Sequence, residues 1–336
     1  MADPREVPLP IVWSAETPDN ATILALAGDH LYARCGEQLA AFDPSAGSVT
    51  WTASLGKRSG DGSLVHSVGA VVVTDTRTGP QRTTELVGVR GGKVIYRTAM
   101  DCIVGNQASC VLGREVFVLG VDPNGGAALR SIDSESGRRR LDRKRAGRDL
   151  ACSGDRLVIL DSFAKDAASA GLISLDRDGG DERILERTPA QEMAIASPRI
   201  LAALRTGPAP ERMVRLIDLA TGAARWEHRA HGPVVALDDE LAIHVESLGG
   251  ALVPVARDAA TGELRWRGGG PLGDDSGTFR FAGRLIAFTH GTGTTLYARD
   301  DGSLIAELLA VYALEVRQRH LYLQGSERIA CADASR

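Results

Sequence analysis

The chain has 336 residues, a net charge of −4 and a hydrophobic fraction of 43%. That is enough apolar material for a sizeable core, yet no apolar run approaches the ~20 residues of a membrane-spanning helix. The weakly acidic balance weighs against a general nucleic-acid binder, whose surface must offset phosphate charge.

The first twenty residues hold Pro4, Pro8, Pro10 and Pro18, with charges at Asp3, Arg5 and Glu6. They lack the apolar centre of a signal peptide. Read as they stand they place the chain in the cytoplasm, or in the periplasm if a signal has been removed. Residues 7–15 read as a lone strand carrying Trp13, with no turn before it. Residues 21–27 are small and apolar. Gly28-Asp29 turns them into the run 30–35, Gly36-Glu37 turns again into 39–42, and 49–52 follows. The first of these turns recurs as Gly113-Arg114, Gly154-Asp155, Ser197-Pro198, Asp238-Asp239 and Gly283-Arg284, each before a β-rich apolar run. No stretch shows a sustained 3.6-residue period with caps, so no helix is predicted.

One hairpin repeats. Asp43, Gly47 and Trp51 return as Asp218, Gly222 and Trp226, and as Asp258, Gly262 and Trp266. The Asp accepts hydrogen bonds within its own turn. The Gly supplies a positive φ. The Trp covers the gap to the next sheet. Degenerate copies keep part of the set: Gly92 with Tyr96, Asp133 with Gly137, Asp176 with Gly179 and Gly180, and Gly302. Asp333 opens a last copy that has no following strand. The anchors fall at 43, 88, 133, 176, 218, 258, 298 and 333. Their spacing of roughly 35–45 residues is that of a four-stranded propeller blade. The expectation is an all-β, eight-bladed β-propeller forming a single domain over 1–336. The N-terminal strand 7–15 would complete the last blade, 316–336, and would place Trp13 where the other tryptophans stand.

These Asp-x-x-x-Gly-x-x-x-Trp hairpins resemble the quinoprotein-like repeat. That repeat occurs in pyrroloquinoline-quinone (PQQ) dehydrogenases and in the outer-membrane assembly lipoprotein. Three copies match well, and the degenerate ones extend the resemblance over nearly the whole chain. The dehydrogenases imply a quinone and Ca²⁺ on the propeller axis with a carboxylate base. Many carry a disulfide between adjacent cysteines, and this chain has no Cys-Cys pair. The assembly lipoprotein implies a docking platform, although its lipidated cysteine has no counterpart here. The expectation is a non-catalytic scaffold that presents one loop-rich rim to protein partners and needs no cofactor. The alternatives are a small PQQ-dependent dehydrogenase and an envelope protein-assembly factor.

Long connections at 56–66, 74–84, 120–128, 161–170, 205–212 and 268–277 fall on one rim, the natural place for binding. His66, Asn106, Gln107 and Ser109 read as rim residues and as candidate contacts. The basic run Arg138, Arg139, Arg140, Arg143, Lys144, Arg145 and Arg148 covers an outer strand. Positive charge there protects an edge from unwanted pairing, or it docks an acidic partner. His228 with His231, and Asp274-Asp275-Ser276-Gly277, read as solvated loops rather than metal sites. Gly268-Gly269-Gly270 precedes neither a helix nor a Lys, so it is no phosphate loop. Cys35, Cys102, Cys110, Cys152 and Cys331 read as small buried residues in a reducing compartment; in an oxidising one Cys102 and Cys110 are the candidate pair.

Overall fold

The computed structural model describes residue 3 and residues 7–16, 21–35, 37–56, 65–78, 83–161, 171–187, 190–196, 201–206, 212–231, 235–270, 272, 277–325 and 328–335. Within these the chain is all strand, turn and bend. It divides into two compact units, Pro18–Ile184 and Met1–Thr17 with Leu185–Arg336.

The first unit holds blades one to four. Blade one is Ala21–Ala27, His30–Cys35, Gln38–Phe42 and Val49–Ser54. Blade two is Val65–Val68, Val71–Thr78, Thr83–Arg90 and Lys93–Ala99. Blade three is Ile103–Leu112, Glu115–Val121, Ala127–Asp133 and Arg139–Arg143. Blade four is Asp149–Ser153, Arg156–Asp161, Gly171–Asp176 and Arg183–Glu186. Within a blade, neighbours in sequence are neighbours in the sheet. Blades three and four merge into one eight-stranded sheet, because their first strands pair in parallel through Ala108 and Leu150. Apolar side chains between the blades form the core, as with Leu86, Phe117, Leu129 and Ile159.

The second unit holds the rest. Blade five is Ala190–Ala196, Leu201–Thr206, Met213–Asp218 and Ala224–Arg229. Blade six is Val235–Leu237, Leu241–Leu248, Ala251–Asp258 and Leu264–Arg267. Blade seven is Gly277–Ala282, Leu285–His290, Gly293–Ala298 and Leu304–Leu309. Blade eight is Tyr312–Arg317, His320–Gln324 and Arg328–Asp333, completed by Ile11–Glu16. That N-terminal strand sets Trp13 opposite Cys331. It begins at Ile11 rather than at residue 7. Pro8 and Pro10 lack the amide hydrogen a ladder needs, so the segment before the strand bends, and Val7 and Leu9 pack beside Leu308 and Val311.

The repeated hairpin has one construction. The Gly amide donates to the carbonyl four residues back in Gly47–Asp43, Gly137–Asp133, Gly222–Asp218, Gly262–Asp258 and Gly302–Ala298, at 2.7–2.9 Å. The Asp side chain adds a second layer: Asp258 Oδ1 accepts from the amides of Ala260 and Thr261 at 2.8 Å. At 298 an Ala replaces the Asp and the backbone turn survives, so Gly sets the turn and Asp reinforces it. Asp176 makes a tighter version, in which Gly179 N donates to its carbonyl at 3.0 Å.

The glycine has a second task. A Cβ added at Gly262 would stand 2.6 Å from Trp226 Cγ, and one at Gly302 or Gly137 would meet the ring of Trp266 or Tyr96. In blades two, five and six the outer aromatic therefore lies against the turn glycine of the next blade. Its polar tip finds the adjacent carbonyl. Trp226 Nε1 donates to Ala259 O at 3.2 Å, Trp266 Nε1 to Arg299 O at 2.7 Å, and Tyr96 Oη to Ser134 O at 2.7 Å. Gly92 differs: a Cβ there would meet Thr52 O at 2.9 Å and Trp51 Cβ at 3.4 Å, while the Trp51 ring lies 5.9 Å from Tyr32. In blade eight Trp13 lies 6.1 Å from Tyr322.

The cysteines depart from expectation. Cys110 pairs with Cys152, at a Cα–Cα distance of 5.8 Å, and Cys102 is free and buried. Sequence proximity favoured Cys102. The parallel contact between the first strands of blades three and four instead puts Cys110 beside Cys152.

Candidate interaction surfaces

His66, Asn106, Gln107 and Ser109 do not lie on connections. His66 is in the first strand of blade two; the other three are in the first strand of blade three. The side chains of Asn106 and Gln107 lie outside the described residues. Their backbone falls in a register break between Val104 and Ser109. His66 Nε2 and Ser109 Oγ are 3.1 Å apart, tying the two strands together. Burial pushes the His66 imidazole down to about 4, so it stays neutral at ordinary pH.

The basic run lies on the exposed outer strand of blade three and on its exit, and much of its charge is already matched. Arg139 reaches Asp101 and Ala99 O. Arg143 Nη1 donates to Gly179 O at 3.3 Å. Arg145 grips Glu182 with two bonds of 3.1 Å. Arg140 stands 3.8 Å from Asp133. Arg138, Arg140, Lys144 and Arg148 remain exposed. The strand thus bonds sideways to both neighbouring blades.

His228 and His231 are not gathered into a ligand set. His228 leans on Trp226, ring centres 5.6 Å apart, and burial lowers its pKa. His231 is exposed, and its backbone N donates to Val245 O at 2.7 Å. Asp274, Asp275 and Ser276 lie outside the described residues. Among the described residues no three His, Cys, Asp or Glu side chains are grouped to hold a metal ion.

Two features escape a reading by spacing. The first is a buried network in blade six. Arg257 Nε donates to His244 Nε2 at 3.1 Å, and its Nη2 reaches Glu246 at 2.8 Å. Burial holds His244 down to about 4. These residues sit on facing strands thirteen and eleven positions apart, a distance no local motif reports. The second is a cleft of about 440 Å³ among the turns of blades six and seven, bordered by Glu240, Asp258, Arg265, Trp266 and Arg299. Arg299 bridges to Asp238 at 2.7 Å and to Glu240 at 3.1 Å, with its guanidinium over Phe281. Arg265 holds the Asp258 carboxyl down to about 2. These charges pair with one another. The cleft lies among the short turns of blades six and seven.

With this geometry in view, the comparisons are informative. A family model described as outer membrane protein assembly factor BamB matches residues 35–200. BamB from Moraxella catarrhalis superposes with a TM-score of 0.68 at 15% identity, covering 97% of this chain and 98% of that one. The quinohemoprotein alcohol dehydrogenase ADHIIG from Pseudomonas putida HK5 superposes with a TM-score of 0.64 at 11% identity, covering 97% and 76%. The computationally designed protein Ika8 does so with a TM-score of 0.65 at 13% identity, covering 95% and 97%. No curated protein matches the chain. Four-stranded antiparallel blades and these neighbours define an all-β propeller. The repeat relates it further to the PQQ-repeat propellers, which the matched residues 35–200 and the shared fold resemble.

The dehydrogenase branch implies a quinone with Ca²⁺, an ion that takes six to eight oxygen ligands. Among the described residues no three His, Cys, Asp or Glu side chains are gathered for such an ion. We route no chemistry through that group.

Proposed function

We propose that this chain is a non-catalytic interaction scaffold within a larger protein assembly of the cell envelope. The observation that carries the proposal is the reciprocal match to a BamB, where the superposition takes in 97% of this chain and 98% of the other. The dehydrogenase, by contrast, has a quarter of its length outside the match. The Cys110–Cys152 pair supports an oxidising compartment, because such bonds persist outside the reducing cytosol. That favours the periplasm over the cytoplasm. Among the described residues no helix is long and apolar enough to cross a membrane.

The outward cations Arg138, Arg140, Lys144 and Arg148 suit an acidic protein surface. Exposed charges of this kind steer encounter and lose force as salt rises. Reversing three of them, as Arg138→Glu, Arg140→Glu and Lys144→Glu, tests their part. Capture of a stoichiometric partner from native envelope extract should weaken in the variant and in high salt. Equal capture by variant and parent would remove the patch from the reading.

A further inference from the structure

The outer strands of the blades differ in how they meet water. Each of the other seven carries at least two polar or charged side chains, from Lys93 and Arg97 in blade two to Arg265 and Arg267 in blade six. Blade seven breaks this pattern. Its outer strand reads Leu304-Ile305-Ala306-Glu307-Leu308-Leu309, with one charge. Leu308 and Ala306 pack inward beside Val7, Ile11 and Val311. Leu304, Ile305 and Leu309 do not: they are 42%, 41% and 67% exposed. The strand is last in its sheet, and among the described residues no strand pairs with its far side. Its beginning is flanked by the blade-six exit, where Gly269 N donates to Gly302 O at 2.9 Å. Among the described residues no further backbone hydrogen bond reaches the outer side of the strand. Natural sheets guard such edges with charge, Pro or bulges; this strand has one bulge, at Ile305, and one charge, Glu307, where blade three sets Arg139, Arg140 and Arg143.

We propose that Leu304–Leu309 is a docking edge for an extended peptide segment of a partner, which adds as a fifth strand to blade seven. The inference rests on the scaffold reading and names one contact within it. An unpaired strand edge offers backbone donors and acceptors that only another strand satisfies in full, and flanking apolar side chains add specificity. The exposed leucines and Ile305 call for aliphatic side chains on the incoming segment. Exposed Glu307 calls for a Lys or Arg beside it. A second copy of this chain fits less well. Six residues span only about 20 Å, and one such pairing falls far short of the roughly 1,200 Å² that a stable interface between folded bodies buries. A flexible segment needs no more than the edge itself.

The test selects a phage-displayed random dodecapeptide library on the full chain and re-measures the enriched sequences as labelled synthetic peptides by fluorescence anisotropy. The expected sequences alternate aliphatic residues around a Lys or Arg. Their affinity should fall about tenfold or more for the double variant Ile305→Lys, Leu309→Lys, as two cross-strand contacts are lost. Glu307→Lys should turn the preference toward acidic peptides. Both variants alter exposed side chains, and an unchanged melting temperature serves as the folding control. Failure of any peptide to enrich, or equal affinity for the double variant, overturns the docking edge. A parent chain that sediments as a dimer, with a monomeric double variant, overturns the peptide in favour of a second copy. If the edge fails while partner capture from extract persists in the double variant, the scaffold reading survives it.

Discussion

Gly302 and Gly249 share a left-handed backbone, with φ of +71° and +61°, and differ in what stands beside them. A methyl group at Gly249 meets open space; one at Gly302 enters the ring of Trp266. Gly249→Ala should therefore cost about 1–2 kcal/mol of backbone strain. Gly302→Ala should cost about 1–3 kcal/mol more, since the ring must move. Equal losses in denaturant titrations would mean that φ is the whole reason for the repeated glycine. At the equivalent contact of Gly262 with Trp226, the tryptophan is 9% exposed, and Trp226→Ala should cost about 3–5 kcal/mol. The turn glycines and tryptophans were legible in the sequence because their chemistry is local. Their mutual contact was not, since it joins residues about 36 apart in different blades. His66 was misplaced for a related reason: Val65–Val68 is too short to show an alternation. Burial holds His66 and His244 near pKa 4, below the ~6.5 of a free imidazole. The unfolded chain takes up these two protons as pH falls through ~6.5, and the folded chain does so only near 4. Their contribution to stability is thus complete above pH ~6.5 and is lost as pH drops from there toward 4. NMR titration should find both rings neutral at pH ~5.5, and a normal midpoint for either would contradict its burial.

At the scale of elements, blades three and four are set apart by a shared sheet and a disulfide. Cys110 and Cys152 enclose 42 residues of sequence separation. Replacing both by Ser should lower stability by about 2–4 kcal/mol in oxidising buffer. In reducing buffer the parent should fall to the level of the variant. A parent insensitive to reductant would show that the two thiols stay unpaired. Blade number and hairpin positions could be read from residue types, because each hairpin closes on its own neighbours. The disulfide could not, since it depends on which first strands lie side by side. The basic outer strand of blade three was legible as a charge run. The apolar outer strand of blade seven passed unnoticed, as Leu-Ile-Ala-Glu-Leu-Leu reads like any buried strand until its exposure is known.

For the whole molecule, the sequence implies one domain from residue 1 to residue 336, and we carry that forward as a proposal. Calorimetry should show one cooperative transition with equal calorimetric and van't Hoff enthalpies; two separable transitions would assign the two units independent stability. Function was least legible at this scale. A repeat names the scaffold, whereas binding depends on which side chains different blades bring to one surface. The central claim is that this propeller binds a protein and does no chemistry. Its most direct test is quantitative affinity capture of the tagged chain from native envelope extract, read by mass spectrometry, with pyrroloquinoline quinone and Ca²⁺ titrated into the purified chain in parallel. The account predicts a partner at near-unit stoichiometry and no saturable quinone binding. Saturable quinone binding with dye-linked alcohol oxidation, and no stoichiometric partner, would contradict it.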